Sequence, residues 1–190
     1  RNRIACKMKK KLTLPGISLV LIALILTVAS SNINWGKDHW KNIIEADGKG
    51  YYAYLPAIFI YHDLNYGFFD AIEKEKYYSP NLYYDYRIGA NGHVINKYYA
   101  GTAVAQLPFF LMAHGLTSVL NYDTDGYSKL YTVFVNLAGI FYLLLGLFFL
   151  NAILRNYGIS SLHRSMVLFV AVFGTNLFYY AVSEPAMSHV

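Results

Sequence analysis

The chain has 190 residues, of which 56% are hydrophobic and 14% charged, with a formal charge of +5 and a mean hydropathy of +0.30. A water-soluble domain carries roughly 25% charged residues, so this composition argues against an ordinary soluble domain and for a polytopic, all-α membrane protein. The positive charge does not read as a nucleic-acid surface. Lys7, Lys9, Lys10 and Lys11 stand directly ahead of an apolar run, the flank that keeps the start of a membrane helix in the cytoplasm.

The single cysteine, Cys6, lies in that basic tail and excludes an internal disulfide framework. The chain opens at Arg1, with Met8 as a candidate start, and stops at Val190 after an apolar segment; it is expected to be the N-terminal piece of a longer protein. Residues 1–11 form the basic cytoplasmic end. Residues 12–31 then give about 20 apolar positions, enough to cross a bilayer as a helix. Val28-Ala29-Ser30 would also suit a signal-peptide cleavage site, so an uncleaved first helix and a signal peptide both stay open.

Residues 32–129 are polar and aromatic and read as one long external loop. Within it, 51–61 is apolar but too short to span and reads as a helix lying at the interface. Residues 101–120 are long enough to span yet carry Gln106, Pro108, His114 and Gly115. If they span, Arg155, His163 and Arg164 fall outside; if they lie along the interface as an amphipathic helix, the 155–165 loop is cytoplasmic like the lysine-rich tail. The second arrangement is the self-consistent one. Two further transmembrane helices are expected over 130–154 and 166–182, leaving 183–190 as the start of the next external loop.

The densest chemical signal is Glu45-Ala46-Asp47-Gly48-Lys49-Gly50-Tyr51-Tyr52. A carboxylate beside apolar and aromatic groups is desolvated and its pKa pushed up, as a general base needs. The competing reading is a turn at Asp47-Gly48 with Asp47 capping the following helix. Lys97, before Tyr98 and Tyr99, suits a lipid phosphate or an ordinary snorkelling anchor. Glu184 and His189 close the last helix; they could bind a metal, a phosphate or an acceptor, or simply mark where the helix leaves the bilayer. Asp123-Thr124-Asp125 reads as a solvated turn, His39 and His62 lack a second ligand at metal spacing, and neither a P-loop nor a dinucleotide fingerprint occurs. The tyrosines of the long loop suit a headgroup-level aromatic belt or flat platforms for sugar rings.

The order of these parts, with Glu45-Ala46-Asp47, Asp47-Gly48 before Tyr51-Tyr52-Ala53-Tyr54-Leu55, Tyr99-Ala100-Gly101-Thr102 before Leu107-Pro108-Phe109-Phe110, and Glu184-Pro185 with Ser188-His189, resembles the GT-C superfamily of lipid-linked glycosyltransferases. The protein-mannosyltransferase-like branch, in its bacterial form, is the nearest in pattern. The Pro-Pro doublet that many members carry before the second interface helix is replaced by Tyr98-Tyr99-Ala100-Gly101. The resemblance implies an enzyme of the bacterial inner membrane, N-terminus in the cytoplasm. It would transfer a sugar from a polyprenyl-phosphate donor to an extracytoplasmic acceptor that the sequence leaves open. Asp47 would be the base, with Glu45 beside it. Lys97, Arg87, Tyr51, Tyr52, Tyr99, Glu184 and His189 would contact substrate. No cofactor is required, although Glu45 and Glu184 could hold a divalent metal. The rivals are a transporter or flippase, which predicts broken helices or ionisable groups within the membrane, and a non-catalytic assembly protein.

Overall fold

The computed structural model describes residues 13–90 and 92–188, so the basic tail and His189 lie outside the described residues. The chain is about 65% helix and 4% strand. Its elements are α1 (Leu14–Asn34), α2 (Asp47–Phe59), β1 (Arg87–Ala90), β2 (His93–Asn96), α3 (Gly101–Val119), α4 (Lys129–Asn156), α5 (Ser161–Phe173) and α6 (Leu177–Ser183). A 3-10 turn at His39–Asn42 and a π turn at Asp70–Lys76 punctuate the loop. The helical architecture is compatible with the all-α expectation, to which β1 and β2 add one small antiparallel hairpin, Arg87 opposite Asn96 and Ile88 opposite Ile95.

Among the described residues three helices, α1, α3 and α4, are long and apolar enough to cross a membrane, with mean hydropathies of 2.2, 1.2 and 2.4. The expected helix over 166–182 is instead two helices bent by 56°. Polar side chains explain both its early start and its break. The Ser160 hydroxyl caps α5 by accepting from the His163 amide at 3.4 Å, so the helix begins well before Met166. After Gly174, the Thr175 hydroxyl donates to the Ala171 carbonyl at 2.6 Å and accepts from the Leu177 amide at 3.2 Å, closing one helix and opening the next.

The buried side chains fall into two cores, and α4 runs through both. Ile22 and Leu26 of α1, Leu168 and Val172 of α5, and Ala181 and Val182 of α6 meet Ile140, Leu143 and Leu147 in an aliphatic core. Around it α1 leaves Val20, Leu24 and Val28 half exposed, as a helix does when its outer face meets lipid tails. The second core joins α2 and the loop to Phe110 and Ala113 of α3 and to Tyr131 and Val135, the first turns of α4. α1 and α3 therefore share α4 lengthwise: α1 takes its later turns and α3 its earlier ones. At the junction the Trp35 indole donates to Asn136 Oδ1 at 2.9 Å, Asn136 donates to the Ala181 carbonyl at 3.0 Å, and Asn34 donates to the Val182 carbonyl at 2.5 Å. Side-chain amides bonding across helices in this way tie spans together where apolar packing alone is weak.

Several of the tyrosines are the loop's core, while Tyr78, Tyr83 and Tyr99 stay exposed. Tyr52, Tyr66, Tyr86 and Tyr131 are almost fully buried, and Tyr66 meets Tyr86 edge to face at 5.6 Å and 85°. Each large ring buries about 150–250 Å², and the hydroxyls find acceptors: Tyr52 on the Gly126 carbonyl, Tyr86 and Tyr127 on Glu73 Oε1, both at 2.8 Å. Asp123 is solvated as the sequence implies, but Asp125 is not: its side chain is 10% exposed and accepts from the Tyr77 hydroxyl at 2.7 Å. Asp125 Oδ1 accepts from the Tyr127 and Ser128 amides, while Lys76 clamps both acids at 2.7 Å.

Candidate functional site

Ile43 and Ile44, buried at 1% and 5% exposure, pull the chain into the loop core just before the acidic turn. Ala46 then reverses it at φ +43°, ψ −128°, a conformation that side-chain-bearing residues avoid. Such strain costs on the order of 1–3 kcal/mol and persists where the surroundings enforce it, commonly at functional sites. Glu45 and Asp47 flank the strained residue, and α2 begins at Asp47, four residues before the apolar stretch.

Every residue of the next turn is packed. A Cβ on Gly48 would stand 2.6 Å from the Cβ of Ala186, and one on Gly50 would stand 2.1 Å from a ring carbon of Tyr98. Lys49, between them, is buried and pairs with Glu73 at 3.7 Å. The glycines are present because two other segments press against the helix start. Ala in place of Gly50 would normally gain a helix about 0.5–1 kcal/mol. Here overpacking of about 1–3 kcal/mol outweighs it, so a Gly50→Ala variant is expected to melt lower and to displace Tyr98. Thermal unfolding checks the first effect, and Tyr98 fluorescence or amide exchange over residues 96–100 checks the second.

Asp47 does not cap its helix: the N-cap position is Ala46 and no side chain caps the turn. Its Oδ1 instead accepts from the Tyr98 hydroxyl, which also meets the Tyr84 hydroxyl. Burial and the Asp47 carboxylate raise the Tyr98 pKa, so Tyr98 is a standing proton donor to Asp47. Asn96 positions it, accepting from the Tyr98 amide at 3.0 Å and donating to the Gly50 carbonyl at 2.7 Å. Tyr51 packs on the same ring at 4.8 Å, and the Lys97 ammonium lies 4.4 Å from the Tyr84 ring and 5.7 Å from that of Tyr98.

The raised carboxylate pKa expected of this turn falls on Glu45. Desolvation is the main cause, the Glu184 charge adds to it, and Lys49 opposes it. Glu184 in turn accepts from the Tyr179 hydroxyl at 2.5 Å. Beside Glu45 opens a cleft of about 120 Å³ lined by Asn81, Tyr83 and Tyr84. Two half-buried carboxylates whose charges oppose each other suit a hard divalent cation. Among the described residues no group of three or more His, Cys, Asp or Glu side chains has the spacing to hold a metal.

Glu45, Asp47, Tyr51, Lys97 and Glu184 are thus drawn into one region, while three other expected contacts are placed elsewhere. Tyr52 is a core residue with no exposed surface, because its position one step further along α2 turns it inward. Arg87 is occupied by Asp85, at 3.1 Å from Nε and 3.0 Å from Nη2, and stacks on Phe69 at 3.8 Å. Tyr99 is 90% exposed, with no part in the Asp47 network. The sequence reading missed Tyr84 and Glu73 as neighbours of this turn. Glu73 sits in the alternating run Glu73-Lys74-Glu75-Lys76, which looks like a solvated face; the π turn sends Glu73 inward. Comparison with family models, curated proteins and solved structures returned no match.

Proposed function

We propose that the protein is an integral membrane glycosyltransferase that moves a sugar from a polyprenyl-phosphate donor to an acceptor hydroxyl on the extracytoplasmic side. The observation that carries the reading is Asp47 held between a strained Ala46 and the Tyr98 hydroxyl. Tyr98 engages one carboxylate oxygen, which leaves the other to draw the proton from the acceptor as it attacks the anomeric carbon. A base whose orientation is fixed by a third group is the usual form of such a pair. Direct attack inverts that carbon, and the departing lipid phosphate gains stabilisation from nearby positive charge, for which Lys97, beside the Tyr84 and Tyr98 rings, is the candidate and Arg87, paired with Asp85, the weaker one.

In this reading α1 and α4 span the membrane, with α5 and α6 as a broken span. α3 lies along the outer interface: it packs with the loop core, it is the least apolar of the three long helices, and Val104, Met112 and Val119 stay exposed for lipid contact. No cofactor is needed. A divalent ion on Glu45 and Glu184 would offset their mutual repulsion and add positive charge.

The test is Asp47→Asn, assayed with a polyprenyl-phosphate sugar in native membranes: product formation should collapse while insertion and lipid binding persist. A second reading, transport or flipping of a lipid-linked substrate, draws support from the break at 174–176, since discontinuous helices mark transporter sites. Transport would survive Asp47→Asn and fall when the break is straightened by Gly174→Ala with Thr175→Ala.

A further inference from the structure

Where α1 ends and α4 begins, the loop shapes an open cavity of about 490 Å³, within the size range of small-molecule sites. Trp40, shortly after α1, and Lys129, the first residue of α4, line it together. The ends of the two most apolar long helices therefore meet at one face. With both as spans, the cavity lies at head-group depth. Another part of its wall is Asn121, Tyr122 and Asp123, which follow α3. Just ahead of them in sequence, Leu116, Val119 and Leu120 stay exposed, so apolar surface leads up to a polar wall. The cavity carries both signs of charge, and its groups are unevenly committed. Lys129 has no ion-pair partner among the described residues. Lys76 donates to Oδ2 of Asp123 at 2.7 Å, which leaves Oδ1 of that 66% exposed carboxylate open. Lys41 pairs with the exposed Asp38 at 3.2 Å, a surface contact that holds weakly. Trp40 and Tyr77 meet edge to face at 5.9 Å, and the exposed Tyr122 makes no side-chain hydrogen bond among the described residues.

We propose that this cavity seats the head group of a phosphatidylethanolamine-type lipid, which carries a phosphate and a primary ammonium on one short linker. The phosphate takes the uncommitted Lys129 ammonium. The lipid's own ammonium donates to Asp123 Oδ1 and lies against the Tyr122 ring, whose π face attracts a cation. The acyl chains run beside Leu116, Val119 and Leu120. Both signs of charge in the cavity make the choice of lipid. A purely anionic head group would satisfy Lys129 but meet repulsion from the Asp38 and Asp123 carboxylates. A choline head group would stack on the rings but has no N–H to give the carboxylates. The proposal rests on α1 and α4 being membrane spans and is independent of glycosyl transfer.

The full chain, purified in detergent, is titrated with phosphatidylethanolamine, phosphatidylcholine, phosphatidylglycerol and soluble phosphoethanolamine. Native mass spectrometry identifies what is bound by its mass. Phosphatidylethanolamine should bind about tenfold tighter than either other lipid, the scale of one charge-assisted hydrogen bond. Lys129→Gln should weaken it about tenfold, and Lys129→Arg, which keeps the charge, should bind like the wild type. Asp123→Asn should erase the preference over phosphatidylcholine; Asp125 still holds Lys76 at 2.7 Å, so the turn is retained. Melting temperatures identify any variant that fails to fold, and the Lys129→Arg comparison separates lost charge from lost packing. The proposal is overturned if the three lipids bind alike, if phosphatidylglycerol binds best, or if folded Lys129→Gln binds like the wild type. Soluble phosphoethanolamine, lacking acyl chains, should bind far more weakly; equal binding would overturn the assignment to a lipid. A chain not recovered in the membrane fraction would remove the spans and this site together, whereas insertion without lipid preference would sink the site alone.

Discussion

Replacing Asp47 with Asn is expected to lower turnover by about 10²–10⁴-fold, the contribution of a positioned general base, with little change in stability. The substitution removes the charge and keeps the shape. Tyr98 can still donate to the amide oxygen, so the strained turn, the glycine contacts and the packing of α2 remain. Tyr98→Phe should give a smaller loss, because the carboxylate survives but its orientation is no longer held. Turnover with a polyprenyl-phosphate sugar, measured beside lipid binding, separates these cases. Product formed at the wild-type rate by Asp47→Asn would remove Asp47 as the base. Glu45, whose pKa is already raised by burial and by Glu184, would then be the acid to examine.

Lys49→Met is the change expected to cost the most stability. Glu73 is 3% exposed and takes hydroxyl donations from Tyr86 and Tyr127 as well as the Lys49 ion pair. Leaving one member of a buried pair without its partner costs about 3–5 kcal/mol. Combining Lys49→Met with Glu73→Gln should recover much of that loss, since the amide keeps both tyrosine donors and carries no charge; denaturant unfolding of the singles and the double gives the coupling. The pH dependence has a definite sign. Burial raises the Glu73 pKa above its ordinary 4.5, against the pull of Lys49 and the two tyrosines. The folded chain therefore binds a proton more readily than the unfolded chain, so an ionised Glu73 lowers stability as pH rises above 4.5. Without Lys49 the deficit should be smallest in acid and grow toward neutrality. A deficit independent of pH would place its origin in lost packing and not in the charge.

Much of the helical layout was legible because apolar run length is a one-dimensional property. Residues 12–31 and 130–154 announced α1 and α4 to within three residues, since about 20 apolar positions have few other uses. The 166–182 run failed as a single helix because hydropathy averages over Gly174, Thr175 and Asn176, whereas a helix responds to each local hydrogen bond. The tyrosines were legible only as a group for a related reason: composition counts rings without saying which face a core.

At the acidic turn the sequence by itself determined that two carboxylates and two glycines precede an apolar helix, and that is all local chemistry can specify. Taken alone, those residues fit a capped turn better than a catalytic acid. Only the tertiary structure removed the cap, because the groups that engage Asp47 and its neighbours come from far along the chain. Tyr98 arrives behind a hairpin to take the carboxylate, Ala186 and the Tyr98 ring explain the glycines, and Glu73 explains a buried lysine. Long-range contacts of that kind carry no local signature: a tyrosine that orients an acid and one that fills a core are the same letter, distinguished only by where the fold brings its hydroxyl.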